Sequence, residues 1–294
     1  MGCHLQRYDK GDHHQFMTSK IIQKKRLGQV FLQDNNIINK MINAAHIQPQ
    51  DHIVEIGCGE GILSEELVKQ CRHLSIIELD LACLAQTQQR LSCFSNMTFH
   101  QSDVLKTDFF EKTTDFVRVI ANIPYYISAK IVKLCIQHHQ KIQDAILMVQ
   151  KEFAHKLIAT PNTSDYGSLT LYSHFYLQPE YLFDVSRHCF KPQPKVDSAV
   201  IRLIPRTVLP FLVNEPLFFA LIRSAFWGRR KPLISALAQS PYLQLPMEFK
   251  SCPFFARNPN IRGETMNLEM FYELYLELKN ELSETFNNLI GITK

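Results

Sequence analysis

His52-Ile53-Val54-Glu55-Ile56-Gly57-Cys58-Gly59-Glu60-Gly61 is a short apolar run that empties into three alternating glycines. A run of this length reads as a strand, and glycines directly after it let the backbone turn tightly and approach a ligand. Ile62, Leu63, Leu67 and Val68 follow at helical spacing, completing a strand, a turn and a helix. The unit recurs downstream, where strand patterns at 74–79, 97–101, 116–121 and 145–149 alternate with helical patterns. Upstream, Ile37, Ile38, Met41, Ile42 and Ala45 form one face of a helix that Asp34 or Asn35 caps and Pro49 closes. Such alternation predicts an α/β protein with a doubly wound, mostly parallel sheet.

The pattern changes in the second half. A helix at 169–176 precedes two strands at 181–185 and 196–203, joined by the loop Phe190-Lys191-Pro192-Gln193-Pro194-Lys195, which predicts an antiparallel edge hairpin. Past the prolines at 205 and 210, Leu217, Leu221, Ala225, Leu274, Leu278 and Leu282 keep helical spacing with no strand between them. The expected layout is a mobile tail over 1–20, an α/β domain over 21–207 and a small all-helical domain over 208–294.

With 294 residues, 46% hydrophobic and 20% charged, the chain has the composition of a soluble globular protein with ample core. No stretch approaches the roughly 18 apolar residues of a membrane span. The eight cysteines show no Cys-x-x-Cys pair and no regular spacing, which suits reduced thiols in the cytoplasm and no bound metal. The net charge of +4 is mild, but it is unevenly distributed. Lys24-Lys25-Arg26 and Arg229-Arg230-Lys231 are compact clusters, with Arg223 one helical stretch earlier, and Lys191 and Lys195 flank the proline loop. Clusters of this kind suit a polyanion.

Gly57-x-Gly59-x-Gly61 is one residue shorter than the dinucleotide fingerprint Gly-x-Gly-x-x-Gly, which disfavours a pyrophosphate cradle. Glu55 points the same way, since a carboxylate repels phosphate but suits an ammonium group. Glu78, 21 positions after Gly57 and beside Leu79, ends the next strand where an acidic side chain takes ribose hydroxyls. Asp103 ends the third strand and can accept from an adenine amino group. One glycine loop, one ribose acceptor and one base acceptor at successive strand ends describe a nucleoside with an amino-acid tail. S-adenosyl-L-methionine fits that description better than NAD does.

Ala121-Asn122-Ile123-Pro124-Tyr125-Tyr126 closes the fourth strand, because Pro124 cannot donate to a ladder and restricts its predecessor. Beside a methyl donor, this segment gains a task. An exocyclic adenine amine is a poor nucleophile, its lone pair being delocalised into the ring. The Asn122 side-chain oxygen and the Ile123 carbonyl can hold its two N–H bonds and favour a pyramidal nitrogen. Tyr125 offers a ring for the base, and Phe190, beside two prolines and two lysines, is the candidate for the opposite face.

Over residues 20–265 these segments resemble the ribosomal RNA adenine N6,N6-dimethyltransferases of the KsgA type. Lys25-Arg26-Leu27-Gly28-Gln29-Val30-Phe31-Leu32 resembles the family's N-terminal motif, which implies that Gln29, Phe31 and Leu32 contact the methionine part of the cofactor. Glu55 to Gly61 resembles the cofactor loop, Glu78 the ribose acceptor, Asp103 with Val104 the adenine contact, and Asn122-Ile123-Pro124-Tyr125 the catalytic loop. Phe190 to Ser198 resembles the segment whose Phe clamps the base, and Ala225-Phe226 with Arg229-Arg230-Lys231 the RNA-facing motif of the helical domain. The resemblance implies a Rossmann-like methyltransferase that dimethylates two adjacent adenosines near the end of small-subunit (16S) ribosomal RNA in a pre-assembled 30S particle, working as a monomer. Tyr126 departs from it, standing where this subfamily usually has Asn. The competing readings are a large-subunit methyltransferase conferring antibiotic resistance, which shares the fold and the catalytic loop, a non-catalytic nucleic-acid-binding relative, and a small-molecule methyltransferase. Asp197 and the Arg229-Arg230-Lys231 helix favour the small-subunit enzyme.

Overall fold

The computed structural model describes residues 30–288. Five parallel strands carry the first half: β2 (His52–Ile56), β3 (His73–Glu78), β4 (Met97–Gln101), β5 (Val117–Asn122) and β6 (Ile142–Gln150), preceded by a two-residue strand β1 (Phe31–Leu32). Between them lie α1 (Asn35–Ala45), α2 (Ile62–Val68), α3 (Leu81–Arg90), the single turn α4 (Phe109–Lys112) and α5 (Ser128–Gln137). The strand at 116–121 is shifted by one residue, since Phe116 lies in solvent and Asn122 pairs with Met148.

The main sheet has the order β4-β3-β2-β5-β6-β9-β7, with β7 (Leu177–Val185) and β9 (Ser198–Pro205) antiparallel at one side. The chain therefore winds outward from β2 through β3 and β4, then returns to the other side of β2 with β5. Between β2 and β5 the connections diverge, and in open α/β sheets ligands bind at such a switch point.

Successive strand residues bury on opposite faces, as pleating requires. Val54, Ile56, Val119, Ala121 and Leu147 face one hydrophobic cluster, and Ile53, Ile120, Ile146 and Met148 face another with α1 and α2. Burial on both faces is why the central strands β2, β5 and β6 read as nearly continuous apolar runs.

Two features escape local pattern. Helix α6 (Lys151–Ile158) follows β6 directly and leads to α7 (Ser168–Tyr176). Strand β8 (Phe190–Lys191) leaves the proline loop to pair antiparallel with β1, Leu32 opposite Phe190.

Past β9 come α8 (Glu215–Trp227), α9 (Leu233–Gln239), α10 (Pro253–Arg257) and the long α11 (Leu268–Asn288). The expected boundary at 207/208 falls in the irregular stretch between β9 and α8. Apolar packing continues across it, with Phe175 of α7 against Phe218 and Phe219 of α8, and the Tyr166 hydroxyl donates to the Met266 carbonyl at 2.7 Å. The tail over 1–20 lies outside the described residues.

Candidate active site

A cavity of about 250 Å3 opens where β2, β3, β4 and β5 end. Its floor is the glycine loop. Gly57, Gly59 and Gly61 have φ of +78°, +53° and +78°, a left-handed conformation that other residues adopt only with strain. Space decides at two of them as well: a Cβ on Gly61 would meet Thr87 Oγ1 at 2.9 Å, and one on Gly59 would meet Phe31 at 3.1 Å.

Three carboxylates line the cavity from three neighbouring strand ends. Glu55 is 0% exposed; Ser64 Oγ donates to its Oε2 at 2.5 Å, while Oε1 has no partner among the described residues. Burial pushes this carboxyl up to about 8, with Ser64 opposing the shift and nearby Glu78 adding to it. Glu78 accepts from the Asp80 N–H at 2.7 Å and the Gly59 N–H at 3.4 Å, and its pKa is also raised by burial. Asp103 accepts from the Leu105 N–H at 3.0 Å, an Asx turn that fixes the bend after β4.

Among the described lining residues the acids are Glu55, Glu60, Glu78 and Asp103, against the single cation Lys130. This donor set fits S-adenosylmethionine. A buried, half-satisfied carboxylate awaits a positive group, strand-end acids accept hydroxyl and amino hydrogens, and a diphosphate would be repelled. Phe31, Leu32, Leu79 and Val104 line the cavity too, as does Ser102, whose buried hydroxyl lacks a partner among the described residues.

Asn122 and Ile123 stand at the far wall with Pro124. Asn122 is the last residue of β5, its carbonyl 3.9 Å from where a Cβ on Gly57 would sit, so the segment that starts at Asn122 abuts the glycine loop. Past the strand end Ile123 is still buried, because its side chain joins the core cluster under β5.

The two tyrosines part company. Tyr125 is half-buried, its hydroxyl 2.7 Å from Ser198 Oγ, and it does not line the cavity. Tyr126 does line it and is 60% exposed, with Lys130 one helical turn later beside it. Phe190 is not brought to the cavity: it is 5% exposed and packed in the cluster that contains Leu32 and Ile38. Gln29 lies outside the described residues.

Residues 21–259 match the family described as ribosomal RNA adenine dimethylase. The chain belongs to this family. Among curated relatives, the ribosomal RNA small subunit methyltransferase A of Lachnoclostridium phytofermentans is 36% identical over 264 residues, covering 87% of this chain and 91% of its own. A dimethyladenosine transferase from Plasmodium falciparum has a similar structure, with a TM-score of 0.74, 28% identity and coverage of 85% of this chain and 98% of its own. The 23S rRNA methyltransferase ErmE is similar at a TM-score of 0.65 and 26% identity, covering 85% and 99%. The shared fold is the Rossmann-like methyltransferase sheet with its antiparallel side.

The basic residues expected to face RNA in this dimethylase have distinct surroundings. Arg223 and Arg230 are exposed on and just after α8, and Lys231 Nζ donates to Gln239 Oε1 at 2.6 Å. Arg229 is engaged internally: it pairs with Glu264 at 2.7 Å and donates to the carbonyls of Ser164 and Thr163 at 2.6 and 2.7 Å. Lys195 is exposed, and Lys191 lies in β8 with its side chain outward. Lys24, Lys25 and Arg26 fall outside the described residues.

Sequence reading missed Ser102 and Lys130 and left Tyr126 without a role. Their signal was weak. Ser102 adjoins Asp103, and Lys130 follows Tyr126 at i+4, but neither spacing shows which way a side chain faces.

Proposed function

We propose that the chain transfers methyl groups from S-adenosylmethionine to N6 of two adjacent adenosines near the 3′ end of small-subunit ribosomal RNA, within a pre-assembled small-subunit particle. The observation that carries this reading is Asn122 at the end of β5, against the glycine loop of a carboxylate-lined cavity. When bound, the cofactor supplies an electrophilic methyl group on sulfur. Glu55 would hold its ammonium group, Glu78 its ribose hydroxyls and Asp103 its adenine. Gly57, Gly59 and Gly61 would let the backbone lie close, with Phe31, Leu32, Leu79 and Val104 packing around it.

Asn122 Oδ1 and the Ile123 carbonyl would accept the two N–H bonds of the target amine, turning its lone pair out of the ring plane toward the methyl carbon. Pro124 stiffens the segment, and Tyr125, held by Ser198, offers a ring to the base. The opposite face falls to Phe190, which the β1–β8 ribbon must uncover first. Positioning and electrostatics then do the catalysis, with no general base required.

The small-subunit target is supported by the names of the curated relatives and by the higher structural similarity to a dimethyladenosine transferase than to ErmE. The cysteine pattern, with no Cys-x-x-Cys pair and no regular spacing, suits the cytoplasm, where we place the enzyme as a monomer. The test is incubation with labelled S-adenosylmethionine and unmethylated small or large subunits, followed by mapping of the label. Two adjacent labelled adenosines in the small subunit are expected; label confined to the large subunit would overturn the reading.

A further inference from the structure

The sequence contains one tryptophan, and it is not in the core. Trp227, the last residue of α8, is 54% exposed. Tyr242, 37% exposed, meets it in a T-shaped contact with ring centroids 5.7 Å apart and planes at 85°. Arg223 lies one helical turn before Trp227, so both occupy one face of α8, and its guanidinium carbon sits 5.2 Å over the Tyr242 ring. Isolated apolar residues on a surface are ordinary, but two large aromatic rings in contact, one of them beneath a cation, are not.

The arrangement is braced from beneath. Ser224 Oγ donates to the Ala220 carbonyl at 2.8 Å, Ser240 Oγ lies 2.9 Å from Ser224 Oγ, and the Tyr242 N–H donates to Ser240 Oγ at 3.1 Å. The two serines are buried, so this chain of hydroxyls pins the loop after α9 onto α8 and fixes the Tyr242 ring. Rigid exposed rings lose little conformational entropy when they are covered.

We propose that Trp227 and Tyr242 form a platform on which an unpaired nucleobase of the RNA stacks, outside the catalytic cavity. Charge selects this occupant over an apolar protein surface: Arg223 on the same helix face, with Arg230 and Lys231 in the turn that follows Trp227, places cations where a strand's phosphates would run. An aromatic ring beside a cationic track is the arrangement by which proteins hold single-stranded nucleic acid, since every base has a π face. Arg229, tied to Glu264, orients the turn instead of meeting phosphate. The inference rests on the RNA-substrate reading and adds to it a second grip on single-stranded RNA.

The single tryptophan makes the platform directly observable. The full chain is titrated with a fluorescein-labelled ten-nucleotide oligoadenylate and with an abasic strand of equal length and charge. Intrinsic emission is read with unlabelled strands, and affinity from anisotropy. The oligoadenylate should quench Trp227 emission saturably, and the abasic strand should bind more weakly and leave emission unchanged. Trp227→Ala should weaken oligoadenylate binding by about 5- to 150-fold with the salt slope unaltered, and Trp227→Phe should restore most of the loss. Arg230→Gln should instead lower the salt slope by about 0.7. Equal affinity of wild type and Trp227→Ala for the oligoadenylate, or equal quenching by the abasic strand, would overturn the proposal. If the wild type labels small subunits while Trp227→Ala binds unchanged, this inference alone fails. If neither subunit is labelled while the quenching persists, the functional reading alone fails.

Discussion

At one end of β2, Asp51 lies against Arg118, a guanidinium 3% exposed that also pairs with Asp144; at the other end, Glu55 is fully buried with one oxygen unpartnered among the described residues. The Arg118 end is complete. Its guanidinium donates to Asp51 at 2.8 Å, to both oxygens of Asp144 at 2.7 Å and to the Ala45 carbonyl at 2.5 Å, while Arg202 adds a second cation to Asp144 at 2.7 Å. The Glu55 end has a hydroxyl and, among the described residues, no cation. A buried charge without a partner is expensive, so such a group holds its proton instead. One end of the strand is compensated within the fold, and the other keeps an acceptor open beside the cavity.

The largest effect should come from breaking the completed end. Arg118→Ala strands Asp51 and leaves Asp144 with Arg202 alone, and a loss of about 3–5 kcal/mol is expected in chemical denaturation. A loss within experimental error would dissolve the contrast.

Asn122→Ala should do the reverse. It removes an acceptor from the cavity wall and nothing from the core, so thermal stability and cofactor affinity should stay near wild type while methyl transfer falls by about 10²–10³-fold. Transfer at the wild-type rate would remove Asn122 from the chemistry.

Glu55→Gln sharpens the comparison most finely. The folded-state pKa of Glu55, about 8, exceeds its ordinary 4.5, so its contribution to stability is present below the ordinary value and lost as pH rises through 8. Glutamine cannot ionise. The variant should therefore gain on wild type as pH is raised across this window, by an amount readable in thermal unfolding. The same ionisation should favour the cofactor's positive groups, so wild-type affinity rises toward pH 8 with release of a proton, measurable by calorimetry in buffers of different ionisation heat. A flat affinity profile in wild type would separate Glu55 from cofactor binding.

Local pattern made much of this site legible. The strands at 52–56 and 97–101 were readable to the residue, because each is bounded by turn chemistry that acts over a few positions. Glu55, Glu78, Asp103 and Asn122 were visible for the same reason, as polar residues at the ends of such runs. The direction of a side chain is a different matter. Tyr125 and Tyr126 are adjacent and alike in sequence, yet Ser198 on a distant strand draws one inward and leaves the other at the cavity mouth. Phe190 looked available beside its lysines until β8 paired with β1 and buried it. Arg229 looked like its neighbour Arg230 until Glu264 and two carbonyls engaged it.

The alternation of strand and helix, the glycine turn and the acids at the strand ends were legible in the chain alone, since they follow from periodicity and backbone sterics over a few residues. Long-range packing set which rings face the cavity, which cations stay exposed and which buried charges are matched. Those outcomes depend on contacts between residues far apart in the chain, where burial and hydrogen-bond satisfaction outweigh local preference.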